Sequence, residues 1–209
     1  MATSPLPGLE EAFTACFDTA SNKIDTQKYV KAVRDISKIY DALFMGVVAG
    51  QLKSDIMNSA GQIEKVFLKQ PEKGQTIEGI VEYELQTRGR ETVRADRTSG
   101  VLGVLWSKRA ISFIAMYLEL LATRDDLTAS KCAQQTYETV LMKYHGWFTS
   151  NAISMAMKLA PSREDILNKL GLKGDAKEVL AHFLSILRPV LAETNRLLAE
   201  HDCDFPDKV

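Results

Sequence analysis

The sequence predicts an all-α protein, and three observations predict it. Apolar residues recur at three- and four-residue spacing along most of the chain. Asp, Thr, Ser, Pro and Gly stand where such stretches begin and end. Sustained period-two alternation is missing, as are the Asn-Gly and Asp-Gly pairs that turn hairpins. About eight helices with short connections account for the 209 residues, and 1–209 reads as a single domain without fixed-period repeats or low-complexity tracts.

The elements follow in order. Leu9, Phe13, Cys16 and Phe17 form a short amphipathic stretch that ends at the polar break Ser21-Asn22-Lys23. Asp25 or Thr26 then caps a long helix with Tyr29, Val30, Val33, Ile36, Ile39, Tyr40, Leu43 and Phe44 on its apolar side. Gly46 and Gly50 loosen the chain before a second long helix, from about Leu52 to Leu68, which Pro71-Glu72-Lys73-Gly74 stops. Thr76 opens the next, with Ile77, Ile80, Val81 and Leu85. Arg88 to Ser99, rich in arginine, reads as an exposed loop or frayed helix end whose charges are solvated, an anion site being the sharper alternative. Gly100 to Ala122 is the most apolar helix; its large side chains wrap most of its circumference, so it belongs at the centre. Asp125 or Asp126 and Thr128 restart the chain into a helix reaching Tyr144. Trp147 to Leu159 follows the break at Gly146 and stops at Pro161. A short helix after Ser162 ends at Gly171, and a last one runs from Asp175 to about Glu200, with Pro189 as a kink.

Charge and composition narrow the function. Twenty-six Lys and Arg almost cancel 27 Asp and Glu, for a net charge of −1, so no strong field draws the chain to nucleic acid or fastens it to an anionic membrane. Membrane contact is expected to be transient and driven by apolar and aromatic side chains. Cys16, Cys132 and Cys203 are odd in number and widely spaced, which favours free thiols in a reducing compartment over a disulfide framework or a metal site. The first fifteen residues lack the basic start and apolar run of a signal peptide, and no uncharged stretch approaches the ~20 residues of a membrane span. The expectation is a cytoplasmic protein, monomeric by default, with no cofactor and no metal.

Catalytic patterns are mostly missing. There is no nucleophile elbow, no phosphate-cradling glycine loop after a strand, and no pair of histidines three or four apart. His145, His182 and His201 stand far apart; a hydrolase pairing His145 with Cys132 or a serine stays open, because such partners need only meet in space. No catalytic residue is assigned.

A small set of polar residues placed in apolar helices stands out instead. At about 100° per residue, Asn58, Ser59 and Gln62 fall within about 60° of Asp55. One side of that helix therefore offers a carboxylate, two amides and a hydroxyl, an inventory suited to neutral hydroxyls and an amide N–H; a solvated stripe opposite the core is the bland reading. Trp106, in Val104-Leu105-Trp106-Ser107-Lys108-Arg109, is either core or a flat platform for the C–H face of a sugar. His145 caps or fills a helix end, or donates to a ligand. Trp147 either packs or meets a bilayer interface.

Together these pieces resemble the glycolipid transfer protein family. Leu105-Trp106-Ser107-Lys108-Arg109-Ala110 looks like the block on that family's central helix, Lys143-Tyr144-His145-Gly146-Trp147 is close to its Tyr-His-Gly-Trp block, and Ala160-Pro161 matches its downstream stop. Lys53-Ser54-Asp55-Ile56 resembles the start of its recognition helix, and Gly79-Ile80-Val81-Glu82-Tyr83-Glu84 the helix between. The similarity runs from about residue 29 to 170.

The resemblance implies a two-layer helical sandwich enclosing an apolar lipid pocket, and non-enzymatic binding and intermembrane transfer of glycosphingolipids. It places Asp55 on the ceramide amide and a sugar hydroxyl, Trp106 under the first sugar, His145 on the acyl carbonyl and Trp147 at the membrane. It also brings the C-terminal end, with Phe205, toward the head group. Two departures matter. Sugar-binding members have asparagine four residues and lysine seven residues after the aspartate, where this chain has Ser59 and Gln62, with Asn58 one place early. The branch that carries ceramide-1-phosphate has arginines at the places held here by Trp106 and Leu102, so a neutral head group is favoured over a phosphate. Arg109 and Lys108 remain able to graze an anion. A lipid sensor or adaptor on the same fold, or a carrier of a phosphorylated sphingolipid, is the alternative.

Overall fold

The computed structural model describes residues 4–172, 174 and 176–208, side chains 47, 48 and 148 excepted. Asp175, from which the last helix was expected to start, and Val209, at the end of the tail, lie outside the described residues. Eleven α-helices are present among them: α1 Leu6–Cys16, α2 Thr26–Asp35, α3 Tyr40–Leu43, α4 Gly46–Lys69, α5 Ile77–Arg88, α6 Arg90–Ala95, α7 Gly100–Thr123, α8 Ala129–Val140, α9 Trp147–Met157, α10 Arg163–Lys169 and α11 Ala176–Glu200.

The helix starts follow the expected caps. Side-chain oxygens of Asp25, Thr76, Ser99, Thr128 and Ser162 each accept the backbone N–H three residues on, satisfying a donor the helix itself leaves free. The count exceeds eight because one expected long helix is broken and part of the arginine-rich stretch is helical. Residues 26–44 are interrupted by a 3-10 turn at Ile36–Ile39, which stacks those two isoleucines on one side and buries both. Gly89, at φ +76°, separates α5 from α6, so the arginine-rich stretch is partly helical. The 128–144 helix ends at Val140 and closes in a 3-10 turn, Met142–Tyr144. Gly46 and Gly50 do not loosen the chain: Gly46 opens α4, six residues earlier than Leu52, and Gly50 lies inside it. Extended structure is limited, among the described residues, to a two-residue antiparallel ladder, β1 Phe17–Asp18 with β2 Lys23–Ile24, turned by Asn22 at φ 53°, and one isolated bridge from Asp25 to Thr76.

The helices stack as a two-layer sandwich. Packing runs in a closed circuit from α1 to α2, α4, α7, α11 and back to α1, while α5, α6 and α8 also rest on α7 and α9 rests on α8. α7 is the centre, with Val101, Val104, Leu105, Ile111, Phe113, Ile114, Tyr117 and Leu118 all buried. Its length and composition would suit a membrane span, but most of it is buried as core and Lys108 and Arg109 lie in its middle.

Both ends of α7 are held. Glu84 Oε2 accepts from Val101 N–H at 3.0 Å beside the positive end of the helix, and Arg163 donates to the carbonyls of Leu121, Arg124 and Leu127 at the other. The crossing of α4 over α7 depends on glycine. A Cβ at Gly103 would sit 2.6 Å from the Ser59 carbonyl oxygen, and one at Gly100 2.8 Å from Val66 Cγ2. Only hydrogen fits, so the two backbones approach closely and the polar side of α4 is brought beside Trp106.

Candidate functional site

A cavity of about 830 Å³ opens between α4, α7, α8 and α9. Its inner wall is apolar, from Tyr40, Leu52, Ile56, Leu102, Leu105, Phe113, Leu141, Ile153 and Met157. Its mouth is polar, and Asp55, Asn58, Ser59, Gln62, Trp106 and His145 all line it. Two helices, α4 and α7, and one loop, distant in sequence, thus bring every expected head-group residue to one opening.

Each has a distinct local state. Asp55 accepts a hydrogen bond from Gln51 Nε2 at 2.8 Å; the surrounding protein mass pushes its carboxyl above the ordinary 3.8, and the Gln51 bond pulls partly against that. Ser59 is buried and donates its hydroxyl to the Asp55 carbonyl oxygen at 2.9 Å, so toward the cavity it acts as an acceptor. Gln62 donates to the Arg97 carbonyl oxygen at 2.9 Å and so ties α4 to the loop after α6. Asn58 lines the same opening, next to Ser59, and is exposed to it.

Trp106 is half-buried, one ring facing several others. His145 lies parallel to it within 3°, centroids 6.1 Å apart; Tyr144 meets it edge-on at 6.4 Å, and the Arg109 guanidinium lies 4.8 Å from its centre. The neighbouring Ser107 is buried and shares a 3.0 Å hydrogen bond with Tyr29 of α2, which keeps this turn of α7 in register. The Trp106 indole is therefore a supported plate at the mouth, not a core residue.

His145 sits in the loop between α8 and α9, its Nδ1 2.9 Å from the Tyr137 hydroxyl. Burial, and then the positive charge of Arg109, lower its pKa below the ordinary 6.5, so the imidazole is neutral at pH 7. In the tautomer where Tyr137 donates to Nδ1, the ring proton rests on Nε2 as a donor. Cys132, the thiol weighed as its hydrolytic partner, is buried, and burial raises its pKa above 9.0, opposite to what a thiolate nucleophile needs.

Trp147 is 71% exposed at the first turn of α9, so the packed reading of it is replaced by the exposed one. Met155 and Leu159 nearby are 69% and 72% exposed, while Thr149, Ala152, Ile153 and Ala156 of the same helix line the cavity.

The site also contains groups beyond the expected head-group set: Arg94 and Arg97 come from the stretch whose sharper alternative is an anion site, Arg109 is expected within reach of an anion, and Phe205 is brought here by the resemblance. Arg94, Arg97 and Arg109 line the mouth, as do Phe205, Asp207 and Lys208 of the C-terminal tail. Arg109 is only 2% exposed, lies 3.4 Å over the Tyr144 ring, and donates to Asp204 Oδ1 at 3.1 Å and to the Phe205 carbonyl oxygen. Burial lowers its pKa, against the support of Tyr144 and Asp204. The Trp-x-Lys-Arg block carried a signal for Arg109; nothing local announced the tail.

The geometry can be set beside known proteins. The profile of the glycolipid transfer protein family matches residues 24–172. The chain is 25% identical over 198 residues to glycolipid transfer protein 1 of Arabidopsis thaliana, covering 92% of this chain and 95% of that one. It is 27% identical over 197 residues to the glycolipid transfer protein of Xenopus tropicalis, covering 88% and 92%. The crystal structure of mouse ceramide-1-phosphate transfer protein in its apo form superimposes with a TM-score of 0.86 at 22% identity, covering 96% of this chain and 98% of that one, a likeness of fold.

Proposed function

This chain belongs to the glycolipid transfer protein family, and on that footing we propose that it holds one glycosylceramide at a time and moves it between membranes without breaking a bond. The observation that carries this reading is the placement of Asp55, Trp106 and His145 around one polar mouth of an otherwise apolar cavity. A ceramide has an amide N–H that needs an acceptor and a carbonyl that needs a donor. Asp55 supplies the first and the Nε2–H of His145 the second. Either group buried unpaired would cost several kcal/mol, on the order of 2–7. The indole of Trp106 lies under the first sugar, and Asn58, Ser59 and Gln62 line the space beside it.

The apolar wall explains why a carrier is useful. A lipid leaving a bilayer exposes methylenes at about 0.8 kcal/mol each, so two long chains sum to well over ~15 kcal/mol. A cavity that receives the chains as they leave removes most of that barrier. Contact with the membrane is transient and made by Trp147, Met155 and Leu159, whose exposed apolar surface suits an interface better than a near-neutral net charge suits electrostatic attachment. One cavity within one chain makes a monomer sufficient, and three free, buried cysteines fit the reducing cytoplasm.

Transfer of fluorescent glucosyl- or galactosylceramide between vesicles tests the reading. Asp55→Val is expected to abolish transfer with helical content intact by circular dichroism. Normal transfer by that variant overturns the head-group assignment. Release of free fatty acid or sugar from the recovered lipid would instead establish hydrolysis. A second reading, a phosphorylated sphingolipid as cargo, draws on the arginines at the mouth. Arg109 and Arg94 are each already engaged by a carboxylate, which favours the neutral sugar.

A further inference from the structure

The last residues of the chain form a strap of counter-ions across the head-group mouth. After α11 ends at Glu200, Asp202 takes a left-handed conformation, φ 52°, and turns the chain back. Arg90 Nε donates to the Asp202 carbonyl oxygen at 2.9 Å, and the Arg90 and Arg94 guanidinium groups lie 5.1 and 5.8 Å from the centre of the buried Phe205 ring. Two carboxylates flank that anchor. Asp204 lies 3.1 Å from Arg109 Nη2 and 3.5 Å from Lys108 Nζ. Asp207 accepts both prongs of Arg94 at 2.8 and 2.9 Å.

These pairs join three parts of the molecule. Lys108 and Arg109 are on the central helix, one turn from the Trp106 plate; Arg94 is on α6; the carboxylates come from the far end of the sequence. Lys108 and Arg109 are buried, so their charges are weakly screened and their partner matters more than a surface partner would. Arg109 Nε is itself buried without a hydrogen-bond partner among the described residues, a donor left over at the rim of the cavity. A sulfate or phosphate is the group best matched to paired guanidinium donors, and here the two mouth guanidiniums best placed to clamp one are occupied by Asp204 and Asp207. Arg97 and Lys208 also line the mouth, but both are exposed to solvent, where their pull on an anion is screened; the Arg94–Asp207 pair is also largely exposed, so the buried Arg109 with Asp204 carries the larger part of the effect.

We propose that Asp204 and Asp207 set the charge selectivity of the head-group site, holding Arg109 with Lys108, and Arg94, as internal ion pairs so that the mouth accepts an uncharged sugar and disfavours a sulfated or phosphorylated head group. The inference rests on the carrier reading above. It assigns specificity to tail residues that touch the cations of the mouth and leave the sugar plate alone.

The test uses the full chain and the isosteric variant Asp204→Asn/Asp207→Asn, in which asparagine keeps an acceptor oxygen for each arginine and removes the negative charge. Vesicle-to-vesicle transfer is measured for galactosylceramide, its 3-sulfated form and ceramide-1-phosphate, with thermal melting alongside. The wild type is expected to move galactosylceramide and to disfavour both anionic lipids. The double variant is expected to raise the ratio of anionic to neutral transfer about tenfold or more. An unchanged ratio in a variant that melts like wild type overturns the proposal. Should the double variant melt below the assay temperature, the ratio is read in Asp204→Asn and Asp207→Asn singly, each retaining the other clamp; a ratio unmoved in both overturns it equally. A wild type that transfers no neutral glycosylceramide sinks the carrier reading and this inference with it, whereas neutral transfer with unmoved ratios sinks the inference alone.

Discussion

The indole of Trp106 and the imidazole of His145 lie in parallel planes, tilted by 3° with centroids 6.1 Å apart, although one belongs to the central helix and the other to a loop 39 positions along. Parallel aromatic planes at this separation lie within the range over which rings interact, so each ring helps to fix the other's orientation. Trp106→Ala is expected to weaken binding of a short-chain glucosylceramide by about 1–2 kcal/mol, roughly tenfold in Kd. Binding of the matching ceramide without sugar should change much less. Equilibrium titration of both lipids checks this, and an equal loss for both would remove the sugar from the face of the indole.

Asp55 carries a cost in the empty protein. Its carboxyl is raised by burial above the 3.8 of an unfolded chain, so as pH rises from about 4 through the folded value the unfolded state ionises first. Stability is full below the unfolded pKa and is lost as pH rises through the folded one. Asp55→Asn removes that loss. The variant should be more stable than wild type at pH 7 in urea unfolding, the advantage vanishing near pH 3, while glycosylceramide transfer falls sharply. An advantage that is independent of pH would deny the raised carboxyl.

His145 has the opposite dependence. Its folded pKa is depressed, so its contribution to stability is complete above 6.5 and is lost as pH falls from 6.5 through the folded value. His145→Gln should flatten the stability profile in that interval and leave the profile above pH 7.5 parallel to wild type. Denaturant midpoints measured from pH 5 to 8 decide it, and two superimposable slopes below pH 6.5 would count against a neutral, buried imidazole.

Gly103 is where α4 and α7 approach most tightly. A methyl group there must push the Ser59 carbonyl away from 2.6 Å, with Gln62 Cβ and Ile63 Cγ1 each at 3.0 Å leaving no side exit. Gly103→Ala is expected to destabilise the protein by about 1–3 kcal/mol, as overpacking does, despite the better helix propensity of alanine. Because the displaced carbonyl belongs to a head-group residue, transfer should fall more than stability alone predicts. A variant as stable and active as wild type would show that the crossing relaxes freely.

Much of the fold was legible in the residues. Asp25, Thr76 and Thr128 marked helix starts because a side-chain oxygen three residues before a free N–H is a local device, readable at that spacing. The long helix expected over 26–44 was misread for a matching reason: the 3-10 turn at Ile36–Ile39 is selected by the burial of two isoleucines in a core built by other elements, and apolar periodicity does not distinguish it from continued α-helix. Gly46 and Gly50 misled because glycine costs a helix only about 1 kcal/mol, and the packing of α4 on α2 and α7 outweighs that although nothing touches the two glycines themselves. For Trp147 the residues alone leave packing and an interface position both open, and its exposure is decided by the assembled surface.

By itself the sequence determined the helical class and the central place of Gly100–Ala122, because helix faces and caps are set by spacings of three and four residues; that Asp55, Trp106 and His145 share one mouth was implied by the family resemblance, not by spacing. Only the tertiary structure decided how those side chains are held. Tyr137 is brought to Nδ1 of His145 by a 3-10 turn, Gly103 lets two backbones touch, and Asp204 reaches Arg109 across a separation of 95 residues. The chain between those last two carries no pattern that encodes their meeting. Whether a charge is paired or left for a ligand depends on which distant segments share a surface, and that is a property of packing, not of local sequence.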